Sequence, residues 1–278
     1  MRVFGQCAVL VLLAAGALRA VQAPAVDPAA VLSAAREAMG GDKRLSAVKS
    51  FTATGRTQQV RGDNLVPIEF EINCELPDKY ARRDEIPAQE SGPTTLGFNG
   101  DTLIQLPVPA PPPARAGAAP PTDAQLQAQR AARANTVKQD FARLALGMFA
   151  ASFPSYPLTF TYVGQAEAPQ GKADVLEAKG PSNFTARLFV YRETHLPIMV
   201  SWQGAPAPAG RGAAAAAGGA PPAPVENRLY YADYRDVDGM KFPFRLRRAV
   251  GADTTEETTF DKFKINPKID AKKFEVAK

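Results

Sequence analysis

The segment 67–76, PIEFEINCEL, has the most regular alternation of apolar and polar residues in the chain. Its even positions are apolar: Ile68, Phe70, Ile72, Cys74 and Leu76. Its odd positions between them are polar: Glu69, Glu71, Asn73 and Glu75. A period of two places one set of side chains against a core and the other in water. The segment therefore predicts a strand of an antiparallel sheet with one covered face.

Similar alternation, with β-branched and aromatic residues, predicts roughly ten strands in all. The others are expected over residues 50–60, 94–106 (two short strands around Asn99-Gly100), 158–163, 174–178, 186–192, 197–202, 227–235, 239–250 and 254–265. Asn-Gly between two apolar runs is a strong hairpin signal. The predicted architecture is a large, strongly curved antiparallel sheet.

Two helices are predicted from the signals at their ends. The first, in VDPAAVLSAAREAMGG, is capped by Asp27 and stopped by Gly40-Gly41. The second opens at Thr122 with a capping-box pattern and extends to about Ser152. Its apolar stripe consists of Val137, Phe141, Leu144 and Met148. Residues 124–135 are nearly all polar or Ala and are expected to be solvated. The predicted fold class is α+β.

Residues 1–23 are predicted to be a secretory signal peptide rather than part of the fold. Arg2 precedes an apolar run from Cys7 to Leu18, and small residues precede a cleavage site after Ala23. The run is too short for a bilayer, which needs about 20 residues. The mature chain is expected to be exported, periplasmic and soluble.

Residues 24–278 are predicted to form a single domain, with insertions rich in Ala, Pro and Gly at 107–121 and 203–224. The second insertion buries too little apolar surface to order itself and is predicted to be disordered. The net charge of +5 falls to +3 when Arg2 and Arg19 leave with the signal. This mild, dispersed charge argues against a nucleic-acid partner, while attraction to an anionic membrane surface stays open.

Asp233, Asp236 and Asp238 stand before Gly239 and suggest two different structures. A calcium loop of the EF type needs Gly at position 6 and a closing Glu at position 12. With Gly239 at position 6, position 12 is Arg245 and position 1 is a tyrosine, so the calcium pattern fails. Asp-Gly between two alternating runs instead predicts a tight β-hairpin, and no metal or other cofactor is predicted.

Few residues of the mature chain suit catalysis. Cys74 would be its only cysteine, so no internal disulfide forms, and an apolar strand position favours a buried, inert thiol. The one histidine, His195, stands in a turn before Pro197, which favours an exposed residue over a catalytic base. The alternating glutamates of 67–76 could serve a carboxylate hydrolase, although solubility of a wetted strand face requires such charges anyway.

Aromatic and aliphatic side chains on the predicted strands exceed what two helices can cover. They form either a solid core or the lining of a cavity for an apolar ligand, and the sequence leaves both open. The candidate ligand-binding residues are Phe70, Ile72, Phe189, Tyr191, Ile198, Val200, Trp202, Tyr231, Phe242 and Phe244. Because Ile198, Val200 and Trp202 are expected to share one strand face, Trp202 is placed near the mouth of such a cavity.

Three stretches resemble the LolA/LolB-like, outer-membrane lipoprotein-sorting superfamily: AMGGDKRLSAVKSFTATG, YRETHLP, and YADYRDVDGMKFPFRLRR with EETTFDKFKINPKID. The resemblance spans most of residues 28–275. It implies an unclosed β-barrel whose concave side is covered by helices and holds acyl chains of lipoproteins or other lipids in the periplasm. It also implies no enzymatic activity, and partners that are lipids or acylated proteins, with transient contacts to the membrane or envelope proteins.

Three functions therefore remain, in this order. The first is a periplasmic carrier for an apolar ligand such as a lipid, the second a non-catalytic structural or interaction module of the cell envelope, and the third a carboxylate-dependent hydrolase. An open apolar cavity would favour the first, a solid core the second, and a polar cleft that holds Glu69 and Glu71 the third.

Overall fold

The computed structural model describes residues 26–87, 89–90, 92–109, 121–168, 171–204 and 223–276. The predicted signal peptide lies outside the described residues, as do most of the two predicted insertions, residues 110–120 and 205–222. The cleavage site and the disorder of residues 203–224 therefore stay predictions.

The described residues form twelve strands, which are numbered in chain order. They are β1 Ser50–Arg61, β2 Asn64–Glu75, β3 Lys79–Glu85, β4 Thr94–Asn99, β5 Thr102–Leu106, β6 Thr159–Ala168, β7 Gly171–Gly180, β8 Phe184–Tyr191, β9 Pro197–Gly204, β10 Val225–Val237, β11 Met240–Val250 and β12 Asp253–Ile265. The helices are α1 Pro28–Ala38, α2 Asp42–Ser46 and α3 Asp123–Phe149, and a 3₁₀ turn spans Ala271–Phe274.

All twelve strands belong to one antiparallel sheet of order β5-β4-β3-β2-β1-β12-β11-β10-β9-β8-β7-β6. The first strand of the chain, β1, pairs with the last strand, β12, and this pair joins the two halves of the sheet. The edge strands β5 and β6 do not pair with each other, so the sheet is not closed. The predicted α+β class, with a curved antiparallel sheet or unclosed barrel, is confirmed.

Helix α3 covers the concave side of the sheet. It begins with the predicted capping box, in which the side chains and backbone amides of Thr122 and Gln125 bond reciprocally. Its first turns are exposed, as expected, and its residues from Val137 to Phe149 are almost all buried. The helix contacts β4 and β5 on one side and β8, β9 and β11 on the other. The sheet therefore wraps around the second half of α3.

Strand β3 was not predicted from the sequence, whereas each of the other eleven strands overlaps a predicted range. Its inward residues are Tyr80, Arg82 and Asp84, and the guanidinium of Arg82 bonds the carboxylate of Asp84 at 2.7 Å. An ion pair on the covered face removes the apolar period by which a half-buried strand is recognised.

A second, smaller core lies on the outer face of the sheet. Ile104 and Ala81 pack there with Phe274 from the C-terminal 3₁₀ turn. The turn is also held by an ion pair from Lys273 to Glu71, with Nζ 3.0 Å from Oε1. The end of the chain thus covers the outside of β3 and β5 and buries residues that would otherwise face water.

The Asp238-Gly239 segment is the predicted hairpin and joins β10 to β11. Both residues have left-handed backbone angles, with φ of 53° at Asp238 and 77° at Gly239, as a two-residue primed turn requires. The carboxylate of Asp236 accepts a hydrogen bond from the Gly239 amide at 3.1 Å. Asp233 is paired with Arg235, so these carboxylates serve the turn and its ion pairs.

Candidate functional site

A cavity of about 400 Å³ lies between α3 and the concave face of the sheet. This volume is within the range of small-molecule binding sites. Its apolar lining comes from strands in both halves of the sheet and from one face of α3: Ile68, Ile72, Tyr80, Leu96, Val137, Leu144, Leu229, Leu246 and Phe260. The alternation of β2 places Ile68 and Ile72 on this face, while the helical spacing of Val137 and Leu144 turns both toward it.

A cluster of aromatic rings adjoins the cavity at Phe260. Phe149, at the end of α3, lies 5.7 Å from the ring of Phe242, which stacks on Phe263 at 5.2 Å. Phe263 in turn lies 4.7 Å from Phe260, which lines the cavity. The concave side therefore contains a solid aromatic core at one end and an open, apolar-floored cavity beside it.

A chain of hydrogen bonds runs along one wall of the cavity. Arg82 donates from Nη2 to the hydroxyl of Thr57 at 3.1 Å, and Thr57 bonds the hydroxyl of Thr258 at 2.8 Å. Thr258 donates to the carboxylate of Glu256 at 3.4 Å. At its other end, Arg82 is bonded to Asp84. This wall offers polar groups of both signs next to the apolar floor.

Across the cavity, one carboxylate lies between two guanidinium groups. Asp140 of α3 accepts from Nη1 of Arg143 at 3.0 Å and lies 3.8 Å from Nη1 of Arg248. The guanidinium of Arg143 lies 4.2 Å from the ring of Trp202, and that of Arg248 lies 5.7 Å from it. Trp202 therefore stands beside the polar part of the cavity, between the sheet and α3.

The pKa values of Arg143 and Arg82 respond differently to the surroundings of each side chain. Burial lowers the pKa of Arg143, and the positive charge of Arg248 lowers it further, against the opposing effect of Asp140. Among the described residues, Nε of Arg143 is the one buried side-chain nitrogen or oxygen without a hydrogen-bond partner. For Arg82, burial also opposes the charge, but the carboxylates of Asp84 and Glu256 outweigh it and raise the pKa.

The residues predicted to bind ligand fall into different places. Ile72 lines the cavity, and Phe70 lies next to it under the guanidinium of Arg82, 4.5 Å from the ring centre. Trp202 is not part of the lining, but its ring lies 5.7 Å from the guanidinium of Arg248, which is. The others on the concave side are enclosed in the main core rather than lining the cavity: Val200, Tyr231, Phe242 and Phe244.

The remaining three predicted residues do not face the cavity. Phe189 and Tyr191 lie on the outer face of β8, because Leu188 and Val190 take its buried inner positions. Phe189 pairs with Met199 and the next residue, Val190, pairs with Pro197, so Ile198 is an extra residue between the two pairs. Ile198 and Val200 therefore do not follow a simple alternation. The extra residue in β9 breaks the shared face expected for Ile198, Val200 and Trp202.

Sequence reasoning missed most of the cavity lining. Val137 and Leu144 were recognised as the apolar stripe of a helix, but a stripe does not tell which members touch a void. Leu229 and Leu246 lie on predicted strands and gave no distinguishing signal. The sequence feature that marks the cavity is a pair of arginines, Arg82 and Arg248, on the inner faces of their strands. It can be recognised only once β3 is known to be a strand.

Glu69 and Glu71 lie in a different, shallow groove on the outer face of the sheet, with a volume of about 340 Å³. The groove is lined by charges of both signs, including Arg56, Arg83 and Asp261. Partial burial opposes ionisation of Glu71, but hydrogen bonds from Asn73 and Lys273 outweigh it and lower its pKa. A carboxylate held in its charged form by a lysine is not prepared to act as a general acid.

Other candidate groups are placed as the sequence predicted. Cys74 is a free, fully buried cysteine, and burial raises the pKa of its thiol well above the ordinary value. His195 is exposed in its turn with a left-handed φ of 56°.

In the part of the chain that the structure describes, no three His, Cys, Asp or Glu residues are grouped to hold a metal ion. No helix of that part is long and apolar enough to cross a membrane.

No family model matches the sequence, and no curated protein matches it. Several solved structures match nearly the whole chain, including the following two. A LolA superfamily protein from Nitrosomonas europaea is 14% identical, with a TM-score of 0.53, covering 90% of this chain and 98% of its own. A putative outer membrane lipoprotein-sorting protein domain from Vibrio parahaemolyticus is 10% identical, with a TM-score of 0.50, covering 89% and 97%. The resemblance predicted from the turns and the C-terminal strands is confirmed at the level of fold: the chain has the fold of the LolA superfamily.

Proposed function

We propose that this chain is an exported periplasmic carrier that binds a lipid, or the acyl chains of an acylated protein, without changing it chemically. The observation that carries the proposal is the cavity between α3 and the sheet, which has an apolar floor and polar walls. A lipid chain on the floor would remove apolar surface from water, which contributes about 25 cal/mol for each Å² buried. The polar head would remain at the charged end.

The likeness to the lipoprotein-sorting domain from Vibrio parahaemolyticus supports the same class of ligand, because carrier folds provide a concave apolar face for it. The apolar segment 7–18 supports export, since it has the length and flanks of a signal peptide. A carrier of this kind would contact the membrane or envelope proteins transiently while it loads and releases its ligand.

The two alternatives are less well supported. A structural module with a filled core does not need a cavity of about 400 Å³ whose walls hold two arginines and three carboxylates. A hydrolase built on Glu69 and Glu71 would need one of them as a proton donor, whereas Glu71 is bound to Lys273. The carrier uses the cavity, and it needs no reactive group.

Titration with lipids tests the proposal through Trp202, the only tryptophan of the chain. Arg248 lines the cavity and lies 5.7 Å from the indole, so a bound lipid head would displace water near it. The emission of Trp202 is expected to shift to shorter wavelength and saturate. Native mass spectrometry of protein purified from the periplasm should show a non-covalent adduct with the mass of a lipid.

A variant that fills the cavity separates binding from surface adsorption. Leu246→Phe adds volume on the cavity floor, while Val163→Phe adds the same ring at a site that is 49% exposed on β6. Leu246→Phe is expected to weaken lipid binding at least about tenfold, which corresponds to about 1.4 kcal/mol, and Val163→Phe to leave it unchanged. If lipids of every chain length leave the emission unchanged and no adduct is found, the carrier function is wrong and the filled-core module replaces it.

A further inference from the structure

Arg248 and Glu256 are directly opposite each other on β11 and β12, and both line the cavity. Directly opposite residues of antiparallel strands have Cβ atoms about 4.5–5.5 Å apart. Among the described residues, however, their charged groups do not form an ion pair with each other. The one ion pair of Arg248 is with Asp140, with Nη1 3.8 Å from Oδ1, and it is the longest ion pair among the described residues. Glu256 accepts one long hydrogen bond, from the hydroxyl of Thr258 at 3.4 Å.

The other charged groups of the cavity have closer partners. Arg82 is bonded to Asp84 at 2.7 Å and to Thr57 at 3.1 Å. Asp140 is bonded to Arg143 at 3.0 Å. These bonds leave each of the three groups fewer free donor or acceptor positions for a ligand. Arg248 and Glu256 are therefore the two charges of the cavity with the most remaining hydrogen-bonding capacity.

The charged side chains that line the cavity indicate which kind of ligand head group it can bind. The lining contains two arginines, Arg82 and Arg248, and three carboxylates, Asp84, Asp140 and Glu256. Arg143, which is paired with Asp140 just outside the lining, brings the charges to three of each sign. A purely anionic head would meet Glu256, and a purely cationic head would meet Arg248. A head with one group of each sign can bind both, because hydrogen bonds between oppositely charged groups are shorter and stronger than neutral ones.

We propose that Arg248 and Glu256 form a headgroup site for a zwitterionic lipid with a primary ammonium, such as a phosphatidylethanolamine. The phosphate accepts hydrogen bonds from Arg248, and the ammonium donates to Glu256. The two residues are directly opposite each other on neighbouring strands, so one head that has both charges can contact both side chains. The inference rests on the proposed function, since the acyl chains then lie on the apolar floor.

The test compares monomeric short-chain lipids that share the same dihexanoyl chains and differ in the head. The panel is the phosphatidylethanolamine, the phosphatidylglycerol, the phosphatidylcholine and the uncharged diacylglycerol, each titrated calorimetrically. The phosphatidylethanolamine is expected to bind about tenfold more tightly than the others, since a charged hydrogen bond contributes a factor of this size. Glycerophosphoethanolamine, which has the head without chains, is expected to bind far more weakly.

Two variants and two matched controls assign the site. Glu256→Gln is expected to weaken phosphatidylethanolamine binding about tenfold and to leave diacylglycerol binding unchanged. Arg248→Gln is expected to weaken binding of all three phospholipids, since each has a charged phosphate, and to leave diacylglycerol binding unchanged. The controls are Arg247→Gln and Glu257→Gln, the neighbouring opposite pair on the exposed face of the same strands, and neither should change any affinity.

The outcomes separate the two proposals. If all four lipids bind equally, if phosphatidylglycerol binds best, or if the controls act like the cavity variants, the headgroup site is wrong while the carrier function stands. If none of the lipids binds the unsubstituted protein, or if the chain-free head binds as tightly as the lipid, the carrier function itself is wrong and the headgroup inference falls with it.

Discussion

The ring of Tyr231 lies where a β-carbon on Gly147 would stand, so β10 and α3 approach this closely only because residue 147 has no side chain. The hydroxyl of Tyr231 donates to the carbonyl oxygen of Arg143 at 2.5 Å. Tyr234 donates in the same way to the carbonyl oxygen of Gly147 at 2.8 Å. Two tyrosines of one strand thus hold the buried end of α3 against the sheet by its backbone.

Gly147→Ala is expected to destabilise the protein, although alanine is the better helix former by about 1 kcal/mol. The added methyl group would overlap the Tyr231 ring, and overpacking of a core typically costs about 1–3 kcal/mol. Chemical denaturation measures the change in the free energy of unfolding. Tyr231→Phe serves as the control, since it keeps the ring and removes only one hydrogen bond, at about 1 kcal/mol. Equal or greater stability of Gly147→Ala would refute the close packing.

Gly239→Val is expected to lower stability by about 1–3 kcal/mol, because φ is 77° at this residue and a β-branched side chain resists that conformation. Crowding is not the reason, since the nearest side-chain atom to a β-carbon there would be Nε of Arg44 at 3.5 Å. Asp238→Asn is the matched control, because asparagine tolerates a left-handed backbone. Thermal unfolding of both variants checks the assignment, and an unchanged midpoint for Gly239→Val would contradict the primed turn.

Asp140→Asn is expected to destabilise the folded state by about 1–3 kcal/mol, because it removes the charge between the guanidinium groups of Arg143 and Arg248. Arg143 is then left buried beside a like charge with no carboxylate partner. Denaturation at neutral pH measures the loss, with the exposed Glu257→Gln as the control. A loss no larger than that of the control would mean that stacking on Trp202 alone stabilises Arg143.

The ion pair between Glu71 and Lys273 should make the attachment of the C-terminal turn depend on pH. The pKa of Glu71 in the folded state lies below the ordinary value of 4.5. Its stabilisation is therefore complete above that value and is lost as the pH falls through the folded-state pKa. The effect is less than about 1 kcal/mol, since both side chains are partly exposed.

Glu71→Gln measures this contribution. The variant is expected to be less stable than the unsubstituted protein at neutral pH and to approach it as the pH is lowered below 4.5. Glu69→Gln, on the same strand face, should show no such convergence. A stability difference for Glu71→Gln that stays constant across this range would show that the ion pair does not tether the turn.

Much of the fold was predictable because its signals are local. The alternation of residues 67–76, the capping box at Thr122 and the Asp238-Gly239 turn each depend on neighbours in the sequence. Strand β3 was not predictable in this way. Its inward Arg82 is stabilised by Thr57 from β1 and by the ring of Phe70 from β2, and no local pattern reveals partners from other strands.

The candidate site was harder to predict than the fold. Strand β8 carries large apolar residues on both faces, so its alternation did not tell whether Phe189 or Leu188 points inward. The irregularity at Ile198 shifts one residue and is invisible without the pairing partner. Tyr231 and Phe242 were predicted to belong either to a core or to the lining of a cavity, and the position of α3 decides that they pack against a helix and other rings.

The unpaired margins of the sheet have a mechanical consequence. The circumference of a closed barrel is set by its strand number and stagger. In this open sheet, the edge strands β5 and β6 can move apart or together while every hydrogen bond between neighbouring strands is kept. The side-chain contacts that α3 makes with β4, β5, β8, β9 and β11, and those that α1 makes with β6, have to adjust. Individual contacts of this kind are weak, at about 0.1–0.2 kcal/mol for each atom pair. The gap therefore lets the circumference of the protein follow the bulk of what it encloses.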